Sequence, residues 1–218
     1  MYILENWYYR ILVLMTGNLK NATLAVSALT VCMSINGWEM MIPLAFFTAT
    51  GVRVPNELGA GNGKTAKFAS KVSAATSLII GIFFCSLIMI FHERLATIFT
   101  TSNEVHKAVD DLAVLLAFTI LLSSIQPVLS GVAVVSGWQA SVAYINIGCY
   151  HIVGVPVGAG LGWVFHLGVR GIWSGLIGGT AVQTLILIII TIRCDWDMQA
   201  EKASLRMKML AAPPSSKT

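Results

Sequence analysis

The feature that most constrains this chain is a series of long apolar runs, several of about 18 residues or more, the length a helix needs to cross a hydrocarbon core ~30 Å thick. Inside such a core only helices or closed barrels satisfy the backbone's hydrogen-bonding groups. The runs are continuous, without two-residue alternation, so they predict helices. Composition agrees, with 56% hydrophobic and only 11% charged residues. A soluble domain carries roughly 25% charged residues to cover its core. Six segments are predicted, at about 1–17, 29–50, 72–91, 113–135, 142–165 and 171–192. The expected fold is therefore an all-α membrane protein, a six-helix transmembrane bundle over 1–193. A polar tail follows over 194–218, its Pro213-Pro214 and serines marking a disordered end.

The connections set the expected topology. Arg53, Lys64, Lys67 and Lys71 lie between the second and third segments against the lone acid Glu57. Arg193, Lys202, Arg206, Lys208 and Lys217 follow the sixth. Between the third and fourth the balance reverses, with Glu93, Glu104, Asp110 and Asp111 against Arg94 and Lys107. Basic loops stay in the cytoplasm, and an even number of crossings separates the two basic regions. This places the tail in the cytoplasm and explains the net charge of +4 without nucleic acid. The first segment would be only about 25 Å long at 1.5 Å per residue, so a piece of a longer protein, or an internal start, is expected.

Ionisable residues at membrane depth are functional candidates, because each costs a few kcal/mol there. They are Glu5 and Arg10 in the first segment and Glu39 in the second. A carboxylic acid withdrawn from water can take up and return a proton under physiological conditions, which a proton-coupled carrier requires. A structural hydrogen bond to a neighbouring helix is the competing reading for Glu39. An interfacial position competes for Glu5, and Arg10 reads as snorkelling. The fourth segment presents Thr119, Ser123, Gln126 beside Pro127, and Ser130 on one helical face. The fifth adds Asn146 and Tyr150 one turn apart, with His151 adjacent. Such faces point either to a substrate cavity or to interhelical packing.

Pro43, Pro127 and Pro156 interrupt three segments and predict kinks. Gly154, Gly158 and Gly162, and Gly171, Gly175 and Gly179, form two ridges suited to close helix contact. The stretch Gly51–Lys71 reads as a glycine-rich elbow leading into the third segment. Its Gly63-Lys64-Thr65 lacks the earlier glycine and preceding strand of a phosphate-binding loop. The four cysteines and four histidines show no metal-ligand spacing, and no nucleophile elbow is present. No enzyme, metal site or cofactor is expected.

Read together, several stretches closely resemble the multidrug and toxic compound extrusion (MATE) family, in its plant DETOXIFICATION branch. They are Asn36-Gly-Trp-Glu-Met-Met-Ile-Pro43, Arg53-Val-Pro-Asn-Glu-Leu-Gly-Ala-Gly61 and Gln126-Pro-Val-Leu-Ser-Gly-Val-Ala133. Gly137-Trp-Gln139, Tyr144-Ile-Asn-Ile-Gly-Cys-Tyr150 and Gly154-Val-Pro156 complete the set. The resemblance runs in order through nearly the whole chain, but only through the second half of a twelve-helix transporter. It implies a C-terminal lobe, paired with a six-helix N-lobe around a central cavity. It also implies exchange of protons for organic cations or plant secondary metabolites across the vacuolar or plasma membrane, with the proton gradient as the driving force. Glu5, in Leu4-Glu5-Asn-Trp7, matches the family's proton-coupling glutamate. Where some relatives carry a second acid, this chain has Ser123, so Glu39 is the expected second protonatable group. Asn36, Ser123, Gln126, Asn146 and Tyr150 are the expected substrate-cavity residues. The alternative expectation is a half-length chain that does not transport but binds or regulates a full-length relative.

Overall fold

The computed structural model describes residues 2–19 and 22–211, with side chains over 7–19 and 22–209. The described residues are almost wholly helical. In chain order the helices are α1 (Tyr2–Thr16), α2 (Ala22–Glu39), α3 (Met41–Gly59), α4 (Gly63–Leu95), α5 (Asn103–Asp110) and α6 (Ala113–Ala133). There follow α7 (Gln139–Ile147), α8 (Val155–Ala159), α9 (Gly168–Arg193) and α10 (Trp196–Ala211). Wider π-turns at Val134–Trp138, Gly148–Gly154 and Gly160–Val164 join α6, α7, α8 and the loop before α9.

Four helical stretches among the described residues are long and apolar enough to cross a bilayer: Ala22–Gly59, Gly63–Ile98, Ala113–Val164 and Gly168–Arg193. The third holds 52 residues, which as one straight helix would reach ~78 Å. It does not run straight. Gly137 sits at φ 91° in the left-handed region, which a side chain disfavours, and the chain doubles back there. The pairings along α9 show the reversal. Gly162 meets Ile172, Gly158 meets Gly175, Gly154 meets Gly179, and Asn146 bonds Gln183, an antiparallel register.

Helix α6 is the central post. Every residue from Gln126 to Ala133 is buried, enclosed by α3, α4 and α9. Leu116, Ile120, Ile172, Trp173 and Leu176 join Leu12 and Leu29 in the main apolar core. The outer faces are apolar as well: Phe68, Ile79, Phe83, Ile90, Leu185 and Ile192 are exposed. A water-facing surface does not carry so continuous an apolar rim, whereas hydrocarbon matches it. The protein is a multi-pass integral membrane protein.

Three features differ from the sequence reading. The second segment begins at Ala22, seven residues early, and the interruption expected from Pro43 falls at Met40. Pro43 causes the break, since it has no N–H to offer the carbonyl of Glu39 four residues earlier. The expected elbow at Gly51 is helix instead. Helix α3 continues through Gly59, held by an Arg53–Glu57 pair at 3.2 Å and by burial of Val54 and Leu58. The turn falls at Ala60–Asn62, where Gly61 takes φ 81°. Residues 196–211 of the polar tail form α10, whose Trp196 and Ala200 pack with Val54, Leu58 and Ala66.

That docking brings the basic segments together. Helix α10, carrying Lys202 and Arg206, packs on α3 and α4 near Arg53, Lys64 and Lys67. Toward the N-terminal end of α9, Arg170 pairs with Asp111 at 2.5 Å, and His92 of α4 contacts Asp110. The end where α10 docks thus carries the larger share of the basic residues, and α9 runs from Arg170 at one end to Arg193 at the other.

The two glycine ridges meet at their middle. A Cβ on Gly175 would overlap the backbone of Val157 and Gly158, whereas Gly178 faces open space. Gly175→Val should lower the apparent melting temperature, equivalent to about 1–3 kcal/mol of overpacking or more. Gly178→Ala should leave it nearly unchanged, as a thermal-unfolding comparison in detergent would show.

Candidate functional site

Polar side chains are concentrated around α6, which presents them in three directions. Toward α2 and α4 it offers Ser124, whose hydroxyl lies 3.1 Å from Glu39 Oε1 and 2.8 Å from the Ile120 carbonyl. It has one proton, so it donates to one of these acceptors at a time. The carbonyl of Ser124 accepts from the Ser77 hydroxyl of α4 at 2.5 Å. Gly81 makes room for this contact, because any Cβ there would strike the Ser124 side chain. Glu39 is only 5% exposed, and its second oxygen, Oε2, has no hydrogen-bond partner among the described residues. It ends α2 at the Pro43 break, where its own carbonyl loses the helical N–H it would otherwise accept from. Asn36 lies one turn earlier, buried, with Oδ1 unpartnered.

Toward α7 and the π-turn that follows it, α6 offers Gln126 and Ser130. Gln126 Nε2 donates to Ser130 Oγ and to Tyr150 Oη, each at 3.3 Å. Tyr150 stacks on Tyr8 of α1, with ring centroids 4.3 Å apart and planes inclined by 11°. The Tyr8 hydroxyl crosses to α9 and donates to the Leu176 carbonyl at 2.8 Å. Gly154 and Gly179 leave the space that this hydroxyl fills. Tyr150 owes its position to the π-turn over Gly148–Gly154, which ends just before Pro156, a residue with no N–H to continue a regular ladder.

Toward α1 and α9, α6 offers Thr119 and Ser123. They line a small cavity of about 10 Å³ with Tyr8, Trp173 and Thr180, and Ser123 Oγ has no partner among the described residues. On α7, Asn146 Oδ1 accepts from Gln183 Nε2 of α9 at 2.5 Å.

The structure thus gathers Gln126 and Tyr150 in one network and Asn146 in a second, with Ser123 outside both, beside the small cavity under Tyr8. Glu39 and Asn36 lie across α6 from these. All six are buried between helices rather than open to a wide cavity. Glu5 belongs to α1, but its side chain lies outside the described ones. Arg10 is exposed on α1. Among the described residues, no group of three His, Cys, Asp or Glu side chains is placed to hold a metal.

Sequence reasoning overlooked Ser124, Ser77, Tyr8 and Gln183. A signal existed for two of them. Gln183 is the one amide in an otherwise apolar run over 171–192, and the doublet Ser123-Ser124 must face two directions. Tyr8 and Ser77 carried none, since neither stands out from the residues around it.

The family model described as MatE matches residues 1–159. Proteins DETOXIFICATION 26 and DETOXIFICATION 27 of Arabidopsis thaliana are each 66% identical, over 95% of this chain and 43% of their own length. The crystal structure of the eukaryotic MATE transporter AtDTX14 superposes with a TM-score of 0.87 at 34% identity, over 92% of this chain and 45% of that one. The chain thus spans somewhat less than half the length of the relatives it matches.

The Asn146–Gln183 bond yields a direct test. Gln183→Leu orphans a buried amide and should cost about 1–3 kcal/mol. The double variant Asn146→Leu/Gln183→Leu should recover part of that loss, so the thermal shifts of the two single variants should exceed that of the double.

Proposed function

The chain belongs to the MatE family of membrane transporters, and from that membership we propose that it serves as the C-terminal lobe of a proton-coupled efflux transporter. In this reading the lobe crosses the membrane six times, with α1 and the two arms of Ala113–Val164 counted separately. It works opposite a second six-helix lobe, and organic cations or plant secondary metabolites leave through the cavity between them. The membrane is vacuolar or plasma membrane. The basic end, with α10, faces the cytoplasm, which the positive-inside tendency supports.

The observation that carries the mechanism is Glu39, a buried carboxyl at a helix break, bound through Ser124 to the central helix. An acid there is costly unless it has a role. Proton uptake at Glu5 and Glu39 alters what each offers its neighbours, since a carboxylate only accepts whereas a carboxylic acid also donates. The polar faces of α6 and α7, with Asn36, Ser123, Gln126, Asn146 and Tyr150, then exchange packing within the lobe for contact with substrate. No bound cofactor is required, because the proton gradient supplies the work.

The test is uptake of an organic cation into vesicles driven by a pH gradient, with this chain assembled with an N-terminal lobe. Glu5→Gln and Glu39→Gln should each bring gradient-driven uptake to background while leaving membrane insertion intact. Undiminished coupling in both variants would reject both assignments. The same assay on the chain alone tests the alternative, in which the half-length chain only binds or regulates a full-length relative.

A further inference from the structure

A cleft of about 540 Å³ lies between α4, α6 and α9, on the side of the bundle where α10 begins. It belongs to none of the polar networks around Glu39 or Tyr150. Its wall on α4 runs from Lys67 and Lys71 to Leu78, a rise of ~16 Å along the helix. Apart from the lysines, Ser70 and Thr191, the lining is apolar, with Leu129 from α6 and Ile188 from α9, and Trp196 borders it. The cleft therefore has a cationic mouth and a greasy interior. Both lysines are exposed, and neither is ion-paired among the described residues. Trp196 is 5% exposed, yet its indole N–H is buried without an acceptor. Of the two acids that flank Trp196, Asp195 is engaged locally, its Oδ1 accepting the Met198 N–H at 3.1 Å.

We propose that this cleft binds one anionic phospholipid, its phosphate held by Lys67 and Lys71 and one acyl chain lying along Leu78, Leu129 and Ile188. The shape separates this occupant from the alternatives. A free inorganic anion would use the lysines and leave the ~16 Å apolar wall bare. A neutral lipid would fill the wall and leave the two cations without a net counter-charge. An anionic lipid matches both, and the surface of the cytoplasmic leaflet is where such lipids act on basic residues. A lipid seated here would bridge α4 to the start of α10 and so bear on how firmly that helix is docked. The leaflet assignment rests on the orientation proposed above, but occupancy of the cleft does not.

The experiment places the protein in phosphatidylcholine nanodiscs doped with phosphatidylglycerol bearing a photoreactive acyl chain, the same mixture in both leaflets. Mass spectrometry should locate crosslinks on α4 near Leu78 and on α9 near Ile188. Lys67→Gln and Lys71→Gln should each weaken labelling roughly fivefold. Removing two charges from α10 instead, Lys202→Gln and Lys208→Gln, should change it little. Ala75→Phe, which narrows the cleft from an exposed position, should displace the label with both lysines intact. Equal labelling by a phosphatidylcholine probe, or undiminished labelling in the Lys67→Gln/Lys71→Gln double variant, would overturn the proposal. Because the leaflets are identical, a failure here would leave the transport and orientation readings untouched.

Discussion

The architecture depends on the absence of any hydrogen-bond partner in hydrocarbon. Helix α6 carries Thr119, Ser123, Ser124, Gln126 and Ser130 through the membrane, where only the protein can offer them partners. That requirement makes α6 the centre rather than an edge. No single neighbour could serve all five groups, because they point in several directions. So α2 and α4 close over Ser124, the π-turn after α7 over Gln126, and α1 with α9 over Ser123. An interhelical bond in a membrane contributes well under 2 kcal/mol, and often about 0.6. What orders the bundle is the larger cost of leaving such a group with no partner.

Much of this was legible in the residues. Hydropathy located the long helices, and the glycine spacings located the ridges that meet at Gly158 and Gly175. The face Thr119, Ser123, Gln126 and Ser130 was readable from period alone. Its partners were not. Periodicity tells which residues share a face of one helix, whereas Ser77, Tyr8 and Gln183 arrive from three others through tertiary contact. The elbow at Gly51 misled for a related reason. Glycine and Pro55 argue against helix locally, but burying Val54 and Leu58 against α10 outweighs that preference. Tail residues 196–211 looked only polar because their apolar contacts, Trp196 and Ala200, are few and lie four apart.

Tyr8 ties the separate networks to α1. Its ring stacks on Tyr150, and its hydroxyl reaches the Leu176 carbonyl through the gap left by Gly154 and Gly179. Stacked aromatic pairs add about 0.5–1.5 kcal/mol beyond the area they bury. The same ring borders the small cavity holding Ser123 and Thr180. A shift or rotation of α1 therefore cannot leave the core as it is. It must break the stack, free Tyr150 and alter what Gln126 can donate to. Glu5 stands on this helix, less than one full turn before Tyr8, so a proton-linked movement proposed for α1 has a defined mechanical route to α6.

The bond between Ser124 and Glu39 offers a second route, and it needs almost no displacement. The Ser124 hydroxyl has one proton and two acceptors within reach, Glu39 Oε1 at 3.1 Å and the Ile120 carbonyl at 2.8 Å. With Glu39 ionised, the carboxylate is much the stronger acceptor, because charge-assisted bonds are about twice as strong as neutral ones. Ser124 then ties α6 to the end of α2. With Glu39 protonated, the carboxyl itself can donate to Ser124 Oγ, and the serine proton is free to return to Ile120. The sense of the bond reverses and its charge assistance disappears, while the atoms stay within hydrogen-bonding distance. The grip between α2 and α6 thus differs between the two protonation states. Pro43 has already removed the backbone bond that would hold α2 and α3 rigid at this point, so the hinge and the titratable group coincide. In the proton-coupled reading proposed above, that coincidence makes Glu39, rather than another polar residue of the lobe, the group through which a proton would bend it.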